Sequence, residues 1–172
     1  MNPMKALLSL LLLAVAIPAM ASVAVPVSVE DLARGSDAVV RGRVERVTAR
    51  WTEDGRRIFT YAEVRPSSVL RGTAPELMTV ITPGGVVGDI GQRVDGVAAF
   101  AEGEEVVVFV HRAEAGTYRV SGLAQGKFSV SGGVASPDLS HTALVPAPLA
   151  AGERHAEAMQ VQELERRVRS TR

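Results

Sequence analysis

The side chains that could carry chemistry are few. Histidine occurs three times, as His111, His141 and His155, and cysteine not at all. A zinc centre needs three or four converging ligands, often two on one helix as in H-E-x-x-H. That motif is absent, and "HAE" sets His155 and Glu157 on different faces of a helix. "PDLSH" holds Asp138, Ser140 and His141 almost side by side. A Ser-His-Asp triad is assembled from separate segments so that its groups converge, and no G-x-S-x-G accompanies this one. We therefore expect no catalytic residues, no metal and no cofactor.

The glycine-rich stretch "ITPGGVVGDIGQRVDGVAAFAEGEE" invites a phosphate-loop reading. Such a loop needs G-x-x-x-x-G-K-[ST], or G-x-G-x-x-G running from a strand into a helix. Here Gly85, Gly88 and Gly91 recur at every third position, no lysine comes after them, and the next element reads as a strand. Asp89, Asp95 and Glu102 fit no EF-hand spacing. Residues 83–104 nevertheless form an unusually long connection, of the kind that is functional or hides a short strand. Residues 94–100 are the expected strand. Asp89, Arg93 and Asp95 are candidate binding residues on this loop, with Arg41, Arg43 and Trp51 on the neighbouring basic hairpin.

The elements that position these residues read mostly as strands. Ser28 is placed to cap a short helix whose first turn carries Glu30 and Asp31, and Gly35 ends it. "AVVRGRVERVTARW" alternates with Val40, Gly42 and Val44 on one parity, then Val47, Ala49 and Trp51 on the other. One change of parity implies one extra residue, a β-bulge near Glu45 and Arg46. Asp54-Gly55 reads as a two-residue primed turn. Folding there sets Trp51 opposite Ile58, Ala49 opposite Thr60, Val47 opposite Ala62 and Arg46 opposite Glu63. "ELMTVIT", "EEVVVFVHR", "TYRVSGL" and "GKFSVS" read as further strands, and the unbroken apolar run over 106–110 implies cover on both faces. Residues 133–152 read as a Gly/Ala/Pro-rich linker with a short edge strand near Thr142. Residues 153–172 read as a C-terminal helix and tail. Ala158, Val161, Leu164 and Val168 form its apolar stripe, and Glu163–Arg167 and Glu165–Arg169 are its supporting pairs. Its expected seat is one end of the barrel.

Residues 1–21 carry the marks of a secretory signal peptide: Lys5, an apolar run, and Ala19-Met20-Ala21 before Ser22. The run is short for a bilayer span, and no later stretch approaches the length needed, so no transmembrane segment is expected after processing. The chain from Ser22 onward has the size of one domain, with residues 22–132 as the barrel. Without cysteine it has no disulfide, so its core alone must hold it. Residues 34–71 carry nine arginines against five acids, whereas residues 72–115 carry seven acids against two arginines. No dense basic stripe suggests nucleic acid.

"SDAVVRGRVERV", "RRIFTYAEV", "SSVLRG", "TPGGVVG", "EGEEVVVFV" and "YRVSGLAQGKFSV" together resemble a family of mostly uncharacterised exported bacterial small β-barrel proteins. The resemblance covers residues 29–131, and its motifs are turns and strands. The order of elements is similar to OB-like barrels such as the netrin-like module, which can bind or inhibit metalloproteases. The N-terminal cysteines of netrin-like inhibitors are missing, so inhibition by metal chelation is not implied. The expected fold is all-β: a small OB-like antiparallel barrel of five to six strands with a short N-terminal helix and a C-terminal helix. The expected function is that of an exported, non-catalytic binding or accessory module of the envelope or secretome, in the periplasm or outside the cell. Its partner would be another protein or an envelope component. The competing readings are an envelope-polymer hydrolase and a structural envelope component.

Overall fold

The computed structural model describes residues 22–171, and the segment read as a signal peptide lies outside them. Twelve strands and two helices succeed one another: β1 (Ser22–Ala24), α1 (Val29–Arg34), β2 (Ala38–Trp51), β3 (Ile58–Gly72), β4 (Met78–Pro83), β5 (Gly85–Val87), β6 (Ile90–Gln92), β7 (Glu105–Arg112), β8 (Tyr118–Val120), β9 (Lys127–Ser131), β10 (Val134–Pro137), β11 (Thr142–Leu144), β12 (Met159–Gln160) and α2 (Val161–Ser170). Strands β7, β2, β3, β4 and β8 close into a five-stranded barrel, because β8 pairs with β7 as well as β4. The β4–β8 seam is parallel and the other four are antiparallel, which qualifies the all-antiparallel expectation. Strands β9, β10 and β12 extend the sheet outward from β7.

The alternation of β7 builds two cores from one strand. Val106, Val108 and Val110 point into the barrel with Val40, Val44, Ala62, Val64 and Val80. Val107 and Phe109 point the other way and meet Val39, Phe128 and the helices. All five positions are fully buried, as the unbroken apolar run implied. The Phe109 and Phe128 rings meet at 5.9 Å and 49°, a tilted contact within the favourable range for aromatic pairs.

The register of β2 and β3 is the one expected: Trp51 faces Ile58, Ala49 faces Thr60, Val47 faces Ala62 and Arg46 faces Glu63, with a bulge between Val44 and Arg46. The turn between them differs. Gly55 N–H donates to the Thr52 carbonyl at 2.8 Å, and Gly55 alone among residues 53–56 has positive φ. Both primed two-residue turns need positive φ at the first central position, which Asp54 lacks, so this is a longer turn instead. Asp54 fixes it, accepting from the Thr52 hydroxyl at 2.5 Å and from Arg56 N–H at 3.1 Å. The primed geometry appears at Gly132-Gly133, with φ of 56° and 79°, joining β9 to β10.

That second hairpin corrects the reading of residues 133–152 as linker throughout, since Val134 to Pro137 pair with β9. The C-terminal helix also begins later than expected, at Val161. Residues before it are extended because their backbone groups are taken: Ala156 N–H bonds Val27 O, Arg154 O accepts from Val29 N–H, and Met159 pairs with Ala135. Ala158 is therefore exposed, while Val161, Leu164 and Val168 are buried. They pack on the outer face of the sheet beside α1, not across a barrel end. Ser28 caps α1 by accepting from Asp31 N–H at 2.9 Å, and Gly35 closes it.

Candidate functional site

Strand β4 leaves the barrel at Pro83 and turns back as the β5–β6 hairpin, in which Gly85 faces Gln92 and Val87 faces Ile90. The expected strand over residues 94–100 is absent; the pairing lies earlier, in the glycines themselves. Three hydrogen bonds stitch the hairpin to the end of β3. Gly84 N–H donates to Ile58 O at 2.8 Å, Gln92 Oε1 accepts from Ile58 N–H at 2.6 Å, and the Thr60 hydroxyl donates to Gly84 O at 2.8 Å. Gly85 is seated so closely that a Cβ there would come within 2.6 Å of Thr60 Oγ1 and 2.8 Å of Ala49 Cβ. Its φ of 136° is likewise one that side chains rarely allow.

Between this hairpin, the strand-free segment after it and the barrel mouth lies a groove of about 590 Å³. Val47, Val94, Val97 and Phe100 give it apolar walls, and Thr60, Gln92, Arg93, Asp95 and His141 give it a few polar points. That mixture, mostly apolar with a small number of placed polar groups, is the usual make-up of a ligand site. Val86, on its lining, and Ile90, beside it, are 67% and 56% exposed, and Val94 is 36% exposed. Arg93 spans the rim, donating to Asp95 Oδ1 at 2.8 Å and meeting His141 Nδ1 at 2.7 Å.

Of the six candidate residues, the fold gathers two here, Arg93 and Asp95. Asp89 is exposed at the hairpin tip. Arg41 lies beneath α2, donating to Glu105 at 2.7 Å and Glu165 at 3.0 Å, and Arg43 donates to Gly103 O at 2.7 Å. Both are engaged within the molecule, because β7 brings the acid-rich stretch against the arginine-rich β2. The two oppositely charged stretches thus meet along the β2–β7 seam at Arg41 and Arg43. Trp51 is 38% exposed at the end of the β2–β3 hairpin.

The three histidines are dispersed. His111 Nδ1 lies 3.4 Å from Ser121 Oγ, His141 meets Arg93, and His155 forms a lone bridge with Ser28. Among the described residues no three His, Cys, Asp or Glu side chains group as a metal site. "PDLSH" folds as a local turn in which Asp138 accepts from Ser140 N–H at 3.0 Å. The Ser140 hydroxyl, then that N–H, hold the Asp138 carboxyl below its ordinary value.

Sequence reasoning missed a polar cluster under the groove. Lys127 is only 4% exposed, and its ammonium donates to Glu104 and, at 2.9 Å, to the Ser129 hydroxyl. The Ser129 hydroxyl donates to the same Glu104 oxygen. A serine nucleophile needs a neighbouring base free to take its proton and donors for the oxyanion. Here both groups point their protons at one carboxylate, so the cluster acts as a braced ion pair. Lys127 Nζ also lies 5.6 Å from the Phe100 ring centroid, which fixes one wall of the groove.

The "GLAQGKF" stretch thereby acquires its meaning. A side chain at Gly126 would overlap the Ser121 carbonyl, Gln125 holds the N-terminal segment, and Lys127 holds Glu104. Among the described residues no helix is long and apolar enough to cross a membrane. No protein-family model, curated protein or solved structure matches this chain.

Proposed function

We propose that this protein is an exported, non-catalytic binding module that captures an apolar segment of a partner protein in the groove beneath the β5–β6 hairpin. One observation carries the reading: the barrel's own core stops at Val47 and Phe100, apolar lining continues outward to Val94 and Val86 with exposed Ile90 beside it, and none of the described residues covers it. Leaving such side chains in water forgoes burial worth about 1.5–3 kcal/mol apiece. Apolar surface grouped beside a groove is the usual mark of a docking site.

The strand order round the barrel, with its parallel closing seam between β4 and β8, supports the OB-like assignment. Barrels of that kind bind on one face or through the loops at a mouth. Export rests on the signal-like residues 1–21 and is checked by N-terminal sequencing of the protein from the envelope or medium, which should begin at Ser22.

The test of capture is co-purification from the native envelope and secretome. Deleting residues 86–90 shortens a surface connection, which changes closure entropy only slowly. The trimmed protein should melt close to the parent and lose the partner. Retention of the partner by a folded deletion variant would rule the groove out.

A further inference from the structure

The outer face of the β2–β3 hairpin carries a second feature, unconnected with the groove. Among the described residues, Arg50, Arg56, Arg57 and Arg119 are the arginines whose side chains make neither a salt bridge nor a hydrogen bond; the others each have a partner. All four gather round two aromatic rings. Register places Arg50 opposite Phe59 and Thr48 opposite Tyr61. Val47 and Ala62 face the barrel interior, so this alternate set faces outward. The Arg50 guanidinium lies 4.1 Å from the Tyr61 ring centroid, and that of Arg119, on β8 beyond β4, lies 5.9 Å from Phe59. Arg56, Arg57 and Phe59 line a shallow concavity of about 450 Å³ at the hairpin end. Glu53 and Asp54 share that concavity, but Asp54 is engaged by the Thr52 hydroxyl and Arg56 N–H.

The Arg50 and Arg119 guanidinium groups are held near rings by cation–π attraction and keep their N–H edges unspent, with no carboxylate to satisfy them. Such an edge matches a carboxylate in two parallel hydrogen bonds. The half-exposed ring of Phe59 adds a flat apolar surface beside it. The ligand that fits presents carboxylates at intervals along a chain of rings that each offer an apolar C–H face. We propose that this face binds an acidic polysaccharide, with uronate carboxylates held by Arg50, Arg57 and Arg119 and sugar rings stacked beside Phe59. A polypeptide of acidic residues would use the charges and leave the rings idle. The inference takes its polymer class from the exported location proposed above and does not depend on the groove.

The test is calorimetric titration of the purified protein with oligogalacturonate, against neutral dextran oligomers, poly-glutamate and oligo(dT). We expect oligogalacturonate to bind and dextran not to. Arg50→Gln with Arg119→Gln should weaken that binding at least tenfold, and Phe59→Leu several-fold. Arg56→Gln with Arg57→Gln, in an exposed turn where folding is not at stake, should weaken it as well. Val86→Asp should leave it unchanged while abolishing partner capture in the groove, so that failure of either reading is separable. Absence of oligogalacturonate binding, or equal binding of poly-glutamate or oligo(dT), or indifference of both arginine pairs, would overturn the assignment.

Discussion

Gln125 holds Val27 from 98 residues away: its Oε1 accepts from Val27 N–H at 2.8 Å, and its Nε2 donates to the Val25 carbonyl at 3.1 Å. One buried amide thereby satisfies two backbone groups of a segment that has no strand partner there. Its side chain is 4% exposed, so no water can readily replace it. Gln125→Leu leaves both backbone groups unsatisfied and should cost about 2–4 kcal/mol. Urea denaturation measures the loss, and amide exchange at Val27 should speed up before the barrel strands do.

The Lys127–Glu104 pair gives a second, sharper test. Removing one member of a buried pair costs about 3–5 kcal/mol because the other charge is left uncompensated. Lys127→Met should therefore destabilise strongly. Lys127→Met combined with Glu104→Leu should recover a good part of the loss, because no lone charge remains. A double variant no better than the single one would show that Lys127 matters by packing against Phe100 rather than by charge.

The helices α1 and α2 are joined by charge as well as by apolar contact. Arg167 bonds Glu30 at 2.7 Å and Glu163 at 2.7 Å, and Arg34 bonds Asp31 and Glu153, each at 2.6 Å. The Arg34 hydrogen bond lowers the Asp31 carboxyl from its ordinary value, and Arg166 with, after it, Arg167 lowers that of Glu163. For carboxylates depressed in the folded state, the stabilisation is complete above their unfolded values, about 3.9 for Asp and 4.3 for Glu. It is lost as pH falls through the lower folded values. Stability should therefore drop below about pH 4. The drop should be small, since Asp31 and Arg34 are about half exposed and Arg166 mostly so, where solvent and salt screen the attraction. Arg167→Met should start less stable at pH 7 and lose less on acidification, as urea midpoints at the two pH values would report.

Seating of the glycine hairpin can be separated from its presence. Gly85→Ala would press a methyl against Thr60 Oγ1 and Ala49 at a φ of 136°. The expected cost is about 1–3 kcal/mol of strain, with the groove distorted and partner capture reduced. Gly88→Ala, at the open tip, meets no atom within 4 Å; its φ of 59° costs about 1 kcal/mol of local strain, which should leave capture intact. Parallel melting and co-purification of the two variants provide the check.

The β2–β3 register from Val44 to Trp51 was legible in the sequence because period-two alternation with one parity change spelled it out. The further shifts between Val39 and Val40 and between Arg41 and Gly42 left no change of parity to read. The two-sided burial of β7 was legible from its unbroken apolar run. The groove was not, because its roof is made of glycine backbone that leaves no side-chain periodicity to read. Residues 94–100 read as a strand, yet Val94, Val97 and Phe100 recur at every third position, off a strand's period of two, and they line the groove wall instead. Arg41 misled because nothing local announces that Glu165, 124 residues away, will cover it. The arginines that stay unpaired, such as Arg50 and Arg119, become visible only after register and ion pairs are known together.

Docking in the groove is tested most directly by site-specific photo-crosslinking in the native envelope. A benzophenone amino acid at Val94 or at Val86, both on the groove wall, would report any segment docked there. The same probe at Val69, 44% exposed on β3, serves as the control. We expect one discrete cross-linked species from positions 94 and 86 and none from 69. No adduct from the groove positions, or the same adduct from all three, would contradict capture in the groove.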